Sequence, residues 1–156
     1  MRRNRIDYFL DMADVCAFQG TCRRRLFGAV IVDNSGTVIS TGYNGAPRHI
    51  DDCTKIGKCW RQDHDIPSGQ RYESCRSVHA EMNACIQAGR AARGSTLYLS
   101  GRDAVTREIV EIMPCFLCAK IILNAEIDSV VMRTKNGYLK LRPTEIHQHR
   151  EKEALS

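Results

Sequence analysis

The order of apolar patterns and turn signals predicts a three-layer α/β/α sandwich around a five-stranded mixed sheet, in a single domain over residues 1–156. Two observations carry this. Helix-like segments alternate with short apolar runs of strand length along the chain. No internal repeat or low-complexity stretch divides it, and 156 residues are enough for one real core.

Ile6, Phe9, Leu10, Ala13, Cys16 and Ala17 share one face of a predicted helix over 6–19, which Gly20 stops. Cys16 lies on that stripe and reads as core. Residues 27–32 form an apolar strand, Asp33-Asn34-Ser35-Gly36 a turn, and 37–43 the returning strand, so the two make an antiparallel hairpin. Residues 44–77 read as long and irregular, with Gly45, Pro47, Gly57, Pro67 and Gly69. A loop of that length inside a compact domain is functional or pinned by something. A helix over 78–88 ends at Gly89, and a buried strand covers 96–100. The stretch 101–113 has no clear period. A helix over 115–124 should turn Ile121, Ile122 and Leu123 inward. A strand over 128–133, an Asn136-Gly137 turn and a strand over 138–141 follow. The link between these last strands is too short for the crossover that parallel neighbours need, so they should pair antiparallel. Pro143 opens a polar terminal helix, with Glu145 near its positive end.

Composition narrows the function. Hydrophobic residues make up 43% and charged residues 26%, as in ordinary globular proteins. The net charge of +5 suits an anionic small molecule such as a nucleotide. It is too mild and scattered to argue for nucleic acid. No apolar run reaches the length of a membrane span, and Asp7, Asp11 and Asp14 soon interrupt the basic start, so no signal-peptide core is present. The expected location is cytoplasmic, where eight cysteines point to metals and packing rather than disulfides.

Two short stretches carry the chemistry: Val78-His79-Ala80-Glu81 and Pro114-Cys115-Phe116-Leu117-Cys118. His79, Cys115 and Cys118 supply three zinc ligands and leave a fourth tetrahedral position for water, the pattern of a catalytic site. Glu81 is close enough to handle protons there without ligating the metal. Cys115 and Cys118 share a face at i and i+3. His79 and Glu81 can converge only at a helix start, where the target lies off the end. Positive helix ends also favour thiolate over thiol. The bland alternative is a buried cysteine pair beside an unrelated helix. Either stretch alone would be weak; both in order are a strong signal.

These stretches resemble the cytidine deaminase superfamily, and within it the deoxycytidylate (dCMP) deaminases. Thr21-Cys22-Arg23-Arg24-Arg25, Gly28-Ala29-Val30-Ile31-Val32, Gly42-Tyr43-Asn44-Gly45-Ala46-Pro47 and His79-Ala80-Glu81-Met82-Asn83-Ala84 carry the likeness, with Pro114 to Lys120. It covers roughly residues 5–132. The resemblance implies a cytidine deaminase-like fold and zinc-dependent hydrolytic deamination of a cytosine nucleotide, dCMP to dUMP. Glu81 would take a proton from a zinc-activated water, deliver it to N3 of the base and later protonate the departing amine. Asn44 matches a substrate-contacting position, though a plain turn residue before Gly45 is the other reading. Ala80 would offer a backbone N–H near the substrate. A small-molecule nucleotide partner, no membrane and a homo-oligomer, hexamer or dimer, are implied too, with dCTP and dTTP as effectors in some relatives.

Cys22, Cys53, Cys59 and Cys75 suit a second, structural zinc that would pin the irregular segment, as in some dCMP deaminases; scattered buried cysteines are the alternative. His49 and His64 could each replace one of the four, but read first as loop histidines. Cys85, one turn beyond Glu81, reads as core. Arg23-Arg24-Arg25 could meet a 5′-phosphate or form a solvated turn.

The chain departs from the family between its third strand and the Pro-Cys motif, where 102–113 are inserted. An ordered flap or short hairpin beside the pocket mouth is expected, with Val105, Ile109, Val110, Ile112 and Met113 kept from solvent. Two other functions stay open: deamination of another base or nucleotide, including tRNA adenosine, and a non-catalytic zinc protein on the same fold. Glu81 argues against the latter, since a structural site has no use for a carboxylate beside the metal.

Overall fold

The computed structural model describes residues 1–156. Helix α1 (Arg5–Ala17) starts where Asn4 Oδ1 accepts the backbone N–H groups of Ile6 (2.9 Å) and Asp7 (3.4 Å). Strands β1 (Arg25–Val32) and β2 (Val38–Tyr43) form the expected hairpin. The irregular segment holds two single-turn helices, α2 (Cys53–Ile56) and α3 (Trp60–Asp63). Then come α4 (Ala80–Ala88), β3 (Thr96–Asp103), α5 (Phe116–Asn124), β4 (Ser129–Thr134), β5 (Gly137–Leu141) and α6 (Pro143–Leu155).

The sheet order is β2-β1-β3-β4-β5. β1 lies antiparallel to both neighbours, β3 and β4 run parallel, and β4 pairs antiparallel with β5 through Thr134↔Gly137 to Val130↔Leu141. The last pairing is the expected one: the Asn136-Gly137 turn reverses the chain at once.

Alternation along the strands builds two cores. On one face Ala29, Ile31, Leu97, Leu99, Val130 and Met132 meet Ala80 and Ala84 of α4, Cys118 and Ile122 of α5, and Ile146 of α6. On the other, Val30, Val32, Tyr98 and Val131 meet Phe9, Leu10 and Ala13 of α1. Helices therefore cover both faces. Two glycines set the spacing. A Cβ at Gly28 would collide with the Ala13 carbonyl of α1, and one at Gly42 with the Ala80 carbonyl of α4. Ser40 Oγ donates to Ala84 O (2.8 Å) and Asn83 Nδ2 to Tyr43 O (2.8 Å), locking β2 onto α4.

Several expectations are corrected. α4 begins two residues later than expected, so His79 is its N-cap rather than a helical residue. Of Ile121, Ile122 and Leu123 in α5 only Ile122 is fully buried; Ile121 is exposed, because neighbouring helical positions point about 100° apart. Strand β3 runs on to Asp103, paired with Arg25 at the start of β1. The insertion is indeed a short hairpin. Asp103 N–H donates to Glu108 O (2.9 Å) and Val110 N–H to Gly101 O (2.9 Å), around an Arg102↔Ile109 bridge. Its tip, however, leaves Val105 83% exposed, since nothing packs above the turn.

Candidate metal centre and active site

The two chemical stretches meet at the starts of α4 and α5. His79 and Cys115 are the two N-caps, both with extended backbone, so their side chains leave the helix ends toward each other. His79 Nδ1 lies 3.5 Å from Cys115 Sγ and 3.3 Å from Cys118 Sγ. The three donor atoms lie within 4.8 Å of one another. A tetrahedral zinc with ordinary bond lengths holds such donors about 3.5–3.8 Å apart, so the set fits zinc in spacing and in chemistry. Cys118 N–H donates to Cys115 Sγ (3.4 Å), a contact that favours thiolate. The Cys115 thiol is lowered to about 4, chiefly by the hydrogen bond from Cys118, with His79 adding to it. The same sharing pushes Cys118 up.

Glu81 lies in the first turn of α4, 5% exposed, with Oε2 3.5 Å from Cys118 Sγ. Burial, before any other cause, raises its carboxyl above the ordinary range. A carboxyl that holds a proton more readily than usual is suited to shuttle one.

His79, Glu81 and Cys115 line a cavity of about 380 Å³. Val110, Glu111, Ile112 and Met113, from the far arm of the inserted hairpin, form part of its wall. The insertion therefore reaches the site as expected, by its second arm and not by its tip. Arg24 and Arg25 line the cavity as well; Arg23 does not. Arg25 Nη1 pairs with Asp103 Oδ2 (2.6 Å), whereas the half-buried Arg24 guanidinium makes no ion pair.

Asn44 also lines the cavity, 4% exposed, but its amide is engaged. Oδ1 accepts from Phe27 N (2.8 Å) and Nδ2 donates to Arg25 O (2.8 Å). It ties the end of β2 to β1 and is more than a turn residue. One oxygen lone pair and one amide hydrogen remain for a ligand. Ala80 is fully buried at the first position of α4, where its N–H has no partner inside the helix.

Cys22, Cys53, Cys59 and Cys75 all line the same cavity. The Cys53 thiol is raised by burial first, then by the Cys59, Cys22 and Cys75 thiols around it. Arg24 N–H donates to Cys22 Sγ (3.4 Å), the same kind of contact as at Cys115. The four sulfurs stand wider apart than the donors of the His79 group. His64 is no part of this cluster: it stacks on Trp60 and its Nδ1 meets Trp60 O (2.9 Å). His49 is exposed in a left-handed turn (φ 70°). Cys85 is buried as expected, and Cys16, on α1, is half-buried against the core between α1 and the sheet.

Two arginines were not foreseen. Arg61, 5% exposed, donates to the carbonyls of Pro67 (2.8 Å), Gln70 (2.5 Å) and Arg71 (3.0 Å) and lies 4.8 Å from the Tyr72 ring. It organises the irregular segment, which is thus held by a cation as well as by thiols. Arg150 of α6 lines the cavity. Neither position has a sequence signal: an arginine that binds carbonyls distant in sequence looks like any surface arginine.

Two helix N-caps, His79 and Cys115, that with Cys118 bring together a donor set of zinc-binding type beside a buried carboxyl define a candidate metal centre on an α/β sandwich. Residues 3–134 match the family model of the cytidine and deoxycytidylate deaminase zinc-binding region, and the chain belongs to that family. It is 34% identical over 127 residues to a deoxycytidylate deaminase of Schizosaccharomyces pombe, covering 81% of this chain and 36% of that protein. To the deoxycytidylate deaminase of Mycobacterium phage D29 it is 36% identical over 130 residues, covering 80% of this chain and 91% of the other. The chain thus spans little more than a third of the length of the yeast relative, and most of the phage one. Among solved structures, the dCMP deaminase of cyanophage S-TIM5 in complex with dCMP and dUMP shares the fold, with a TM-score of 0.63 at 20% identity over 96% of this chain and 94% of that one. No helix is long and apolar enough to cross a membrane.

Proposed function

We propose that residues 1–156 form one deaminase domain that hydrolyses the exocyclic amine of a cytosine nucleotide, with dCMP, giving dUMP, as the first substrate to test. The observation that carries this reading is Glu81, a buried carboxyl on the floor of a nucleotide-sized cavity, 3.5 Å from a sulfur of the metal set. A purely structural metal site has no use for it.

His79, Cys115 and Cys118 would hold the catalytic zinc, which when bound supplies Lewis-acid activation of water. Glu81 takes the proton that water gives up and passes it to N3 of the base as the hydroxide adds to C4; it then takes the proton of the new C4 hydroxyl and delivers it to the amine as the C4–N bond breaks. Burial keeps Glu81 out of competition with bulk water for that proton. Asn44 orients the sugar through its free lone pair and hydrogen, and the Ala80 N–H faces the reacting end. Arg24, unpaired at the cavity wall, meets the 5′-phosphate. Cys22, Cys53, Cys59 and Cys75 close on a second, structural zinc that fixes the cavity's outer wall. Zinc analysis of the reduced protein should then give two ions per chain, falling to one in Cys59→Ser. We further infer a cytoplasmic homo-oligomer, hexamer or dimer.

Ammonia release measured side by side from dCMP, CMP, dCTP, deoxycytidine and a tRNA anticodon stem tests the reading. Release from dCMP above all others supports it. Activity on the tRNA alone would move the chain to another branch, and no release from any of them would make it a binding protein.

A further inference from the structure

The catalytic-loop backbone just before Cys115 is unusual in having almost nothing of its own to hold it. Val110 N–H is bonded to Gly101 O, and Cys115 O accepts from Ala119 N–H (2.8 Å). Between them, Glu111 to Pro114 make no backbone–backbone hydrogen bond. Pro114 has no N–H to offer, and Cys118 N–H, which could have reached back to its carbonyl, is turned to Cys115 Sγ.

Side chains from elsewhere supply what is missing. Glu111 Oε1 accepts from Lys135 N (2.8 Å) in the β4–β5 turn. Arg150, on α6, reaches back with two donors. Nη2 donates to Met113 O (2.7 Å) and Nε to Pro114 O (2.9 Å). Its remaining arm, Nη1, pairs with the half-exposed Glu153 Oε2 (2.8 Å) and takes no part in the two carbonyl bonds. Around it Ile146 is fully buried in the core and the His147 ring packs edge-on against Phe116, 5.1 Å between centroids. Arg150 lies outside the 3–134 match to the family.

We propose that Arg150 is a positioning residue for the zinc site: its two bonds to the Met113 and Pro114 carbonyls fix the approach of Cys115 to the metal and make α6 part of the active site. This rests on the zinc reading above. A planar guanidinium suits the task because its donors are held in a fixed fork, so two successive carbonyls are set relative to each other at small entropic cost. Partners one step behind metal ligands typically alter metal affinity 10–100-fold when removed.

The test uses zinc-loaded wild type, Arg150→Ala, Arg150→Gln and Glu153→Gln. Zinc transfer to an excess of a chromophoric chelator is timed well below the melting temperature of each metal-free form, and kcat and KM for dCMP are measured alongside. Arg150→Ala should release zinc about tenfold faster than wild type. Its kcat should fall more than its KM rises, because a misplaced metal ligand affects the reacting centre first. Glu153→Gln keeps both carbonyl bonds and should release zinc within about twofold of wild type. Zinc release in Arg150→Ala equal to wild type would overturn the proposal, as would equal acceleration in Glu153→Gln, which would place the effect on α6 as a whole. If Arg150→Ala does not fold, Arg150→Gln decides by the same criterion. A wild type that holds zinc but deaminates nothing defeats the proposed function and leaves the chelator result to judge Arg150.

Discussion

Arg102 meets Asp14 end-on with both arms of its guanidinium, Nε to Oδ1 and Nη2 to Oδ2, each at 2.9 Å. The carboxylate belongs to α1 and the guanidinium to the end of β3, from which the inserted hairpin leaves. Ser100 Oγ adds a third donor (2.5 Å), and Arg133 Nε of β4 lies 3.0 Å away. Arg102 also holds the hairpin itself, through Nη1 to Arg107 O (3.2 Å). A helix on one face of the sheet is thereby tied to the root of a loop whose second arm walls the cavity on the other.

Asp14→Ala should destabilise the protein by about 3 kcal/mol, because it strands the Arg102 guanidinium, only 22% exposed, and leaves Arg133 with Asp11 as its one carboxylate partner. Equilibrium urea unfolding reads this directly. A loss under about 1 kcal/mol would mean that water already solvates the arginines.

Replacing 102–112 by a two-residue link should reorder kcat/KM among cytosine nucleotides, since it removes Val110, Glu111 and Ile112 from the cavity wall. Cutting only the exposed turn residues Val105 and Thr106 should leave the order unchanged. An unaltered substrate profile and assembly in the long deletion would falsify a role in specificity.

Glu81→Gln should retain zinc at wild-type stoichiometry and lose deamination by about 10²–10⁴-fold, the usual worth of a positioned proton carrier. The amide keeps the shape of the side chain and cannot take the proton. Near-normal turnover in this variant would end the proposed mechanism.

Cys85 should resist alkylation in the native protein. Burial, with the Glu81 charge adding to it, pushes its thiol up to about 11. At pH 8, three units below that value, about one molecule in a thousand is thiolate, the reactive form. Mass mapping after brief iodoacetamide treatment should find Cys85 unlabelled until the chain is unfolded.

Much of this was legible in the sequence, and for identifiable reasons. The helix of Phe9, Leu10 and Ala13 and the strands around Ile31 and Leu99 announce themselves because burial imposes a period on them. The metal set is legible because zinc chemistry limits the ligand types and the helix ends limit their spacing. Arg150, Arg61 and the Arg102–Asp14 pair were not legible. Their partners lie on distant parts of the chain, and backbone carbonyls, which two of them seek, leave no trace in residue identity. The exposure of Val105 and Ile121 failed expectation for a simpler reason: an apolar residue in a short turn or on a helix flank is not obliged to be inside.

Gly42 lies outside the cavity lining, on a strand at the border of the sheet, yet its emptiness sets the place of the whole of α4. A methyl group there would need the volume already held by the Ala80 carbonyl and, 2.6 Å away, the Ala84 nitrogen. The helix would have to lift, carrying His79 and Glu81 with it. A saturation screen scored by turnover would therefore rank this glycine beside Glu81, the proposed proton carrier, although one contributes a functional group and the other only room. Scoring the same library by abundance would part them, since Glu81→Gln leaves the packing intact and every substitution at Gly42 disturbs it.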